Sequence, residues 1–204
     1  MTQALEDTRH RIILTAARVF CEQGYAGAGI GDVAKACGLT KAGLYHHIRS
    51  KEQLLLEIQS YGMDVFEEQV LRPASAISDP LRRLEECLKL NVLLLAKRPS
   101  QEIAVILHEH NTLKGEARAR INARKKRYVR FLEQAFREAM RRRQIRRVNP
   151  RVAAFSFLGM VLWIYKWFRP DGVISAERLA REMRSLFFGG LALRPVRNPG
   201  RPRS

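Results

Sequence analysis

Apolar residues recur along this chain at helical spacing, in segments separated by glycine or proline, and no apolar–polar alternation is long enough for a strand. The pattern predicts an all-α protein of about nine to ten helices. The first helix is expected from Thr8 to Gln23, with Ile12, Ile13, Ala16, Val19 and Phe20 on one face and Gly24 as its stop. Two short helices, Gly31 to Ala36 and Thr40 to His46, follow.

Ser50 with Gln53 three residues on forms a capping box, so a fourth helix opens there and runs towards Leu71, where Pro73 is expected to break it. Asp79-Pro80 pairs an N-cap with an N1 proline and starts a helix through Leu95 to Arg98. A short segment from Ser100 to His110 comes next, then one long helix from Lys114 to Arg147. Asn149-Pro150 opens another, ending near Arg169-Pro170-Asp171-Gly172. Ser175 caps the last, which Gly189-Gly190 should stop near Phe188. The tail after it has the Pro, Gly and Arg content of a disordered end.

The stretch CGLTKAGLYHHIRSK, residues 37–51, carries two adjacent histidines and a tyrosine on a very short helix. Taken from Ile30 to Ile48, two helices meet across a tight turn, with Ala34 at the crossing, Gly38 in the turn and Leu44 plugging the second helix into the core. Those are the needs of a helix-turn-helix. Thr40, Lys41, Ala42, Gly43, Tyr45 and His46 are left facing outwards, and such a surface suits a DNA major groove. Lys51, in the first turn of the fourth helix, adds a phosphate contact. No acidic residue within the stretch orients either histidine for acid–base catalysis.

These residues resemble the TetR family of bacterial repressors. Phe20, Gly24-Tyr25, Asp32-Val33-Ala34, Thr40, Leu44-Tyr45 and Ser50-Lys51-Glu52-Gln53-Leu54 match its N-terminal signature. The resemblance implies Thr40 as cap and phosphate contact, Lys41, Ala42 and Gly43 close to the bases, Tyr45 and His46 on backbone or bases, and Lys51 on a phosphate. Two positions depart from it: Ala28-Gly29 stands where the family usually has two threonines, and Ile48 replaces the aromatic that ends the reading helix.

Charge changes this picture by its location. The formal net charge is +17, yet Met1 to Ser60 holds seven basic and six acidic residues, so +16 lies beyond. Lys114 to Arg151 alone carries fifteen basic and three acidic residues. That helix is either an arginine-rich solvated face or an electropositive wall for a phosphorylated ligand or for DNA in general.

The resemblance implies that the second half is a helical bundle holding an inducer and dimerising through its last two helices. The patterns W-x-x-K-W-F-R-P-x-G from Trp163 and F-x-G-G-L from Phe187 look like a subgroup that answers to acyl-CoA thioesters. Trp163, Lys166, Trp167 and Arg169 are then candidate effector contacts, with core or dimer packing the alternative for the two indoles. His108 and Asn111 are candidates for the pocket lining. His108 and His110, two apart on a helix, point to different sides, so no metal site is expected, and no cofactor.

Three scattered cysteines, no signal-peptide core and no apolar run of about 18 residues predict a cytoplasmic protein with neither a disulfide framework nor a membrane span. The expected organisation is a three-helix DNA-binding head (1–50), an effector and dimerisation bundle (51–192) and a basic tail (193–204). The expected function is that of a homodimeric repressor, not an enzyme, released from operator DNA by an acyl-CoA. The alternative is control of a drug-efflux gene by a hydrophobic or cationic compound, and a DNA coater working through the basic helix alone is the remaining rival.

Overall fold

The computed structural model describes residues 2–96, 105, 106, 109 and 112–191. Every regular element among them is helical: α1 (Thr2–Gln23), α2 (Ile30–Ala36), α3 (Lys41–Tyr45), α4 (Lys51–Phe66), α5 (Arg72–Ser75), α6 (Pro80–Ala96), α7 (Gly115–Arg141), α8 (Pro150–Leu162), α9 (Ile164–Trp167) and α10 (Ala176–Leu191), with a π-helical stretch Glu67–Leu71 between α4 and α5. Eight of the α-helices have five residues or more, slightly below the nine to ten expected. The other two, α5 and α9, are four-residue turns that extend their neighbours.

Starts fall where side-chain acceptors stand. Ser50 Oγ accepts from the Gln53 N–H at 3.1 Å, Asp79 Oδ1 from Arg82 at 2.9 Å, Asn149 Oδ1 from Arg151 at 2.9 Å and Ser175 Oγ from Arg178 at 3.2 Å. Ends are less obedient to the sequence pattern. Pro73 does not break its helix, because the π-turn ahead of it shifts the ladder, with Arg72 N donating to Glu67 O, and so absorbs the missing N–H. The long helix stops at Arg141, six residues short of Arg147. Arg143 takes the left-handed conformation (φ 57°), while Gln144 N donates to Ala139 O at 2.9 Å and Arg143 N to Met140 O at 3.0 Å, closing the helix as a glycine would. At the other extreme α10 runs through Gly189-Gly190 to Leu191, whose buried side chain anchors that last turn.

Two apolar cores organise the chain. One gathers Ile12, Phe20, Val33, Leu44, Leu54, Leu55 and Ile58 from the first four helices and Ile48 from the α3–α4 turn, and Val105, Leu113 and Ile121 from after α6 are buried in it too. The other packs α6 (Leu84, Leu88, Val92), α7 (Leu132, Phe136), α8 (Ala154, Phe157, Val161) and α10 (Leu179, Met183). Helix α4 therefore enters the head core with its first half, directly after the boundary expected at residue 50. Arg124 of α7 ties the two bodies together by donating to Asp64 Oδ1 (2.6 Å), Glu67 Oε1 (3.0 Å) and Ser60 O (3.1 Å). Among the described residues no helix is long and apolar enough to cross a membrane.

Candidate functional site

The helix-turn-helix is built from its turn. Helix α2 ends on Cys37, Gly38 takes φ 69°, and Leu39 N donates to Ala34 O at 2.9 Å and Gly38 N to Lys35 O at 3.1 Å, so the chain reverses sharply into Thr40. Thr40 Oγ1 accepts from Gly43 N at 2.9 Å and caps α3; its own hydroxyl proton stays available for a phosphate. At the head of α2, Gly29 offers no side-chain cap, and Asp32 Oδ2 instead accepts from Gly29 N at 2.7 Å. The loop tightens without the threonine pair, and it lacks their hydroxyls.

Helix α3 buries Leu44 completely and exposes Thr40, Lys41, Ala42, Tyr45 and His46, with Gly43 half-buried. The expected strip of six residues is thus brought together on one short helix and its caps. His47 is turned partly inwards and is not on that strip. Tyr45 is 47% exposed, so Tyr45→Ala is expected to leave the thermal midpoint within about a degree while weakening DNA binding by about 1 kcal/mol or more. Differential scanning fluorimetry beside fluorescence anisotropy on labelled duplex reads both quantities, and unchanged anisotropy would remove Tyr45 from the surface.

Lys51, the expected phosphate contact, also has a partner within the protein. Its ammonium donates to the Tyr25 carbonyl and lies 4.3 Å from the Tyr25 ring centroid and 5.9 Å from that of Phe20. One of its three donors holds the α1–α2 turn, a tertiary contact 26 residues apart that no local pattern encodes, and the other two stay available for a phosphate.

The effector candidates are only partly visible. His108 and Asn111 lie outside the described residues. Trp163 (61% exposed) and Trp167 (50%) sit at the end of α8 and in α9, with Lys166 and Arg169 also exposed. Trp163 lines an open cleft of about 380 Å³ with Phe155, Leu158, Gly159, Leu162 and Tyr165, whereas Trp167 meets Phe168 edge to face at 6.2 Å. Helix α9 lies against the end of α1, close enough for Lys166 to favour the Cys21 thiolate electrostatically. Burial nonetheless raises the Cys21 and Cys37 thiols, and pushes Cys87 up to about 12, so none is an activated nucleophile.

The basic excess on α7 divides. Arg124 and Arg127 pair with Glu67, Arg137 with Glu133, and Lys125 donates to Ile106 O at 3.2 Å, its half-buried ammonium lowered in pKa by desolvation. Lys114, Arg120, Lys126 and Arg130, with Arg143 and Arg147 just beyond α7, are exposed without an acidic partner among the described residues. These residues keep the electropositive reading open.

Three polar groups carry no signal in the sequence. Asn91, fully buried, donates to Tyr128 Oη (2.8 Å) and to Cys87 O (2.7 Å) inside the bundle. Gln59, also buried, donates to Glu109 O at 3.1 Å, and Glu109 in turn reaches the head. Each is polar in an apolar helix face or in an unpatterned stretch, and only burial gives it meaning.

Comparison with known proteins agrees along most of the chain. The family described as bacterial regulatory proteins, tetR family, matches residues 12–58, and the tetracyclin repressor-like C-terminal domain matches residues 78–191. The chain is 23% identical over 189 residues to the HTH-type transcriptional repressor KstR2 of Mycobacterium tuberculosis, covering 90% of this chain and 92% of that one. A crystal structure of AibR in complex with isovaleryl coenzyme A and operator DNA aligns with TM-score 0.85 at 54% identity, over 88% of this chain and 97% of that one. The regulator PfmR from Thermus thermophilus aligns with TM-score 0.80 at 30% identity, over 91% and 100%.

Proposed function

This chain belongs to the tetR family of bacterial regulatory proteins, and we propose that it is a homodimeric repressor whose operator is released when an acyl-CoA thioester occupies its helical bundle. It is a transcriptional regulator, not an enzyme. Residues 1–50 carry the reading surface, with Thr40, Lys41, Ala42, Gly43, Tyr45 and His46 towards DNA. Residues 51–192 hold the effector and the dimer seam, and the protein works in the cytoplasm on the chromosome.

The observation that carries the effector class is the 54% identity to AibR, whose complex contains isovaleryl coenzyme A and operator DNA together; it supports the thioester as ligand, while the release step follows from the inducer reading of the sequence and not from that complex. Exposed Lys166 and Arg169 supply cations for the nucleotide phosphates, and the indoles beside them supply flat apolar area. Release requires only that the thioester bind more tightly to the bundle arrangement in which the two heads no longer match the groove.

Isothermal titration with isovaleryl-CoA is expected to give a micromolar or tighter Kd, about −8 kcal/mol or better. Isovalerate should bind far more weakly, and added salt, Lys166→Ala or Arg169→Ala should weaken the thioester. A panel of short, medium and aromatic acyl-CoAs that neither binds nor releases DNA, beside a cationic drug that does both, would replace this reading with that of an efflux regulator.

A further inference from the structure

The turn between α1 and α2 is held through the two main-chain groups of a single residue. The Tyr25 N–H donates to Glu109 Oε1 at 3.1 Å, and the Tyr25 carbonyl accepts from the Lys51 ammonium. The anion comes from the stretch between α6 and α7, the cation from the first turn of α4. The Tyr25 and Phe20 rings meet edge to face at 5.3 Å beneath the ammonium.

Glu109 is itself fixed. Its second carboxylate oxygen accepts from Thr112 Oγ1 at 2.6 Å, and its main-chain carbonyl accepts from the buried Gln59 amide at 3.1 Å. Val105 and Leu113, on either side of it in sequence, are buried in the head core with Phe20, Leu44 and Leu54. A cavity of about 100 Å³ lined by Phe20, Cys21, Gly24, Val105 and Glu109 lies at this joint. A displacement of the stretch that carries Glu109 therefore reaches the turn directly. From Tyr25 it passes on through a tight loop, with Ala28 N bonded to Gly24 O at 3.0 Å, to Gly29 and the start of α2.

We propose that Glu109 is a positioning residue for operator binding: its carboxylate sets the α1–α2 turn, and with it the tilt at which α2 and α3 meet DNA. The inference rests on the operator-binding reading above and is independent of the effector's identity. It makes a prediction opposite to that of simple charge. Glu109 is an anion, so its removal by electrostatics alone strengthens attraction to DNA. As a positioning group it is needed for its reach and its acceptor oxygen.

The test uses the full chain and an operator duplex selected from a random pool by the wild-type protein. Glu109→Gln keeps the length and an acceptor, and should bind that duplex within about threefold of wild type. Glu109→Asp keeps the charge but is one methylene short, and should bind about tenfold more weakly, with affinity for a scrambled duplex unchanged. Glu109→Ala should match or exceed the loss in Glu109→Asp. If Glu109→Asp binds like wild type, or Glu109→Ala binds more tightly, the proposal is overturned. Hydrogen exchange on the wild type gives a reading free of any folding defect: the Tyr25 amide should be protected, and exchange at the rate of an open loop overturns the clamp. A pool that yields no preferred sequence would instead count against operator reading itself.

Discussion

Replacing Leu44 by aspartate is expected to abolish operator binding while the bundle stays folded. Helix α3 has five residues, far below the roughly 12–15 at which a helix holds itself in water. Its place is set by the fully buried Leu44 packed among Val33, Ala34, Ile48 and Leu54. A carboxylate there has no cation inside the head core, and its burial costs at least about 3–5 kcal/mol. The head then gives up α3 before accepting the charge. Neither tryptophan belongs to the head: Trp163 ends α8 and Trp167 lies in α9, so their fluorescence follows mainly the bundle. In urea, Leu44→Asp should lose part of its far-ultraviolet dichroism early, while tryptophan fluorescence keeps the wild-type transition. Operator affinity should fall by at least a hundredfold, about 2.7 kcal/mol. Retention of affinity within tenfold would mean that α3 is not seated by Leu44.

What is legible in the sequence is what is encoded within a few residues. Thr40, Ser50, Asp79, Asn149 and Ser175 each accept an amide two or three residues on, and each is readable as a cap. The turn at Gly38 and the plug at Leu44 follow from the same short range. Pro73, Arg143 and Gly189-Gly190 behave against their residue types, because propensity is a weak bias that context outweighs. The π register before Pro73, the backbone bonds around Arg143 and the burial of Leu191 decide there instead.

The exposed strip on α3 is legible while its support is not. Lys51 has the position of a phosphate contact at a helix start, and nothing in that position announces its bond to a carbonyl 26 residues earlier. Glu109, 84 residues from Tyr25, has no motif to mark it. Tertiary partners of this kind carry no period and no spacing.

The proposed dimer seam shows the same division, since its apolar face is readable and the exposure of each position is not. Along α8 the residues Val152 (63% exposed), Phe155 (50%), Gly159 and Trp163 (61%) fall on one stripe, and α10 adds Leu186 (75%). An exposed apolar face of this kind suits the proposed interface, and under twofold symmetry each residue in it occurs twice. Phe155→Arg therefore adds two guanidinium groups to the seam, each beside the Arg151 that already lies 5.8 Å from the Phe155 ring. It touches little of the bundle's own core, whereas Leu158, at 8% exposed, belongs to that core, and a charge there would unfold the protomer as well. Light scattering behind size exclusion should move from twice the 23.5 kDa chain mass to the single-chain value, with helical dichroism preserved. Operator affinity should drop by about 10²–10⁴, because the second head loses the effective concentration that linkage to the first provides. A Phe155→Arg protein that stays dimeric at micromolar concentration would place the seam on another face of the bundle.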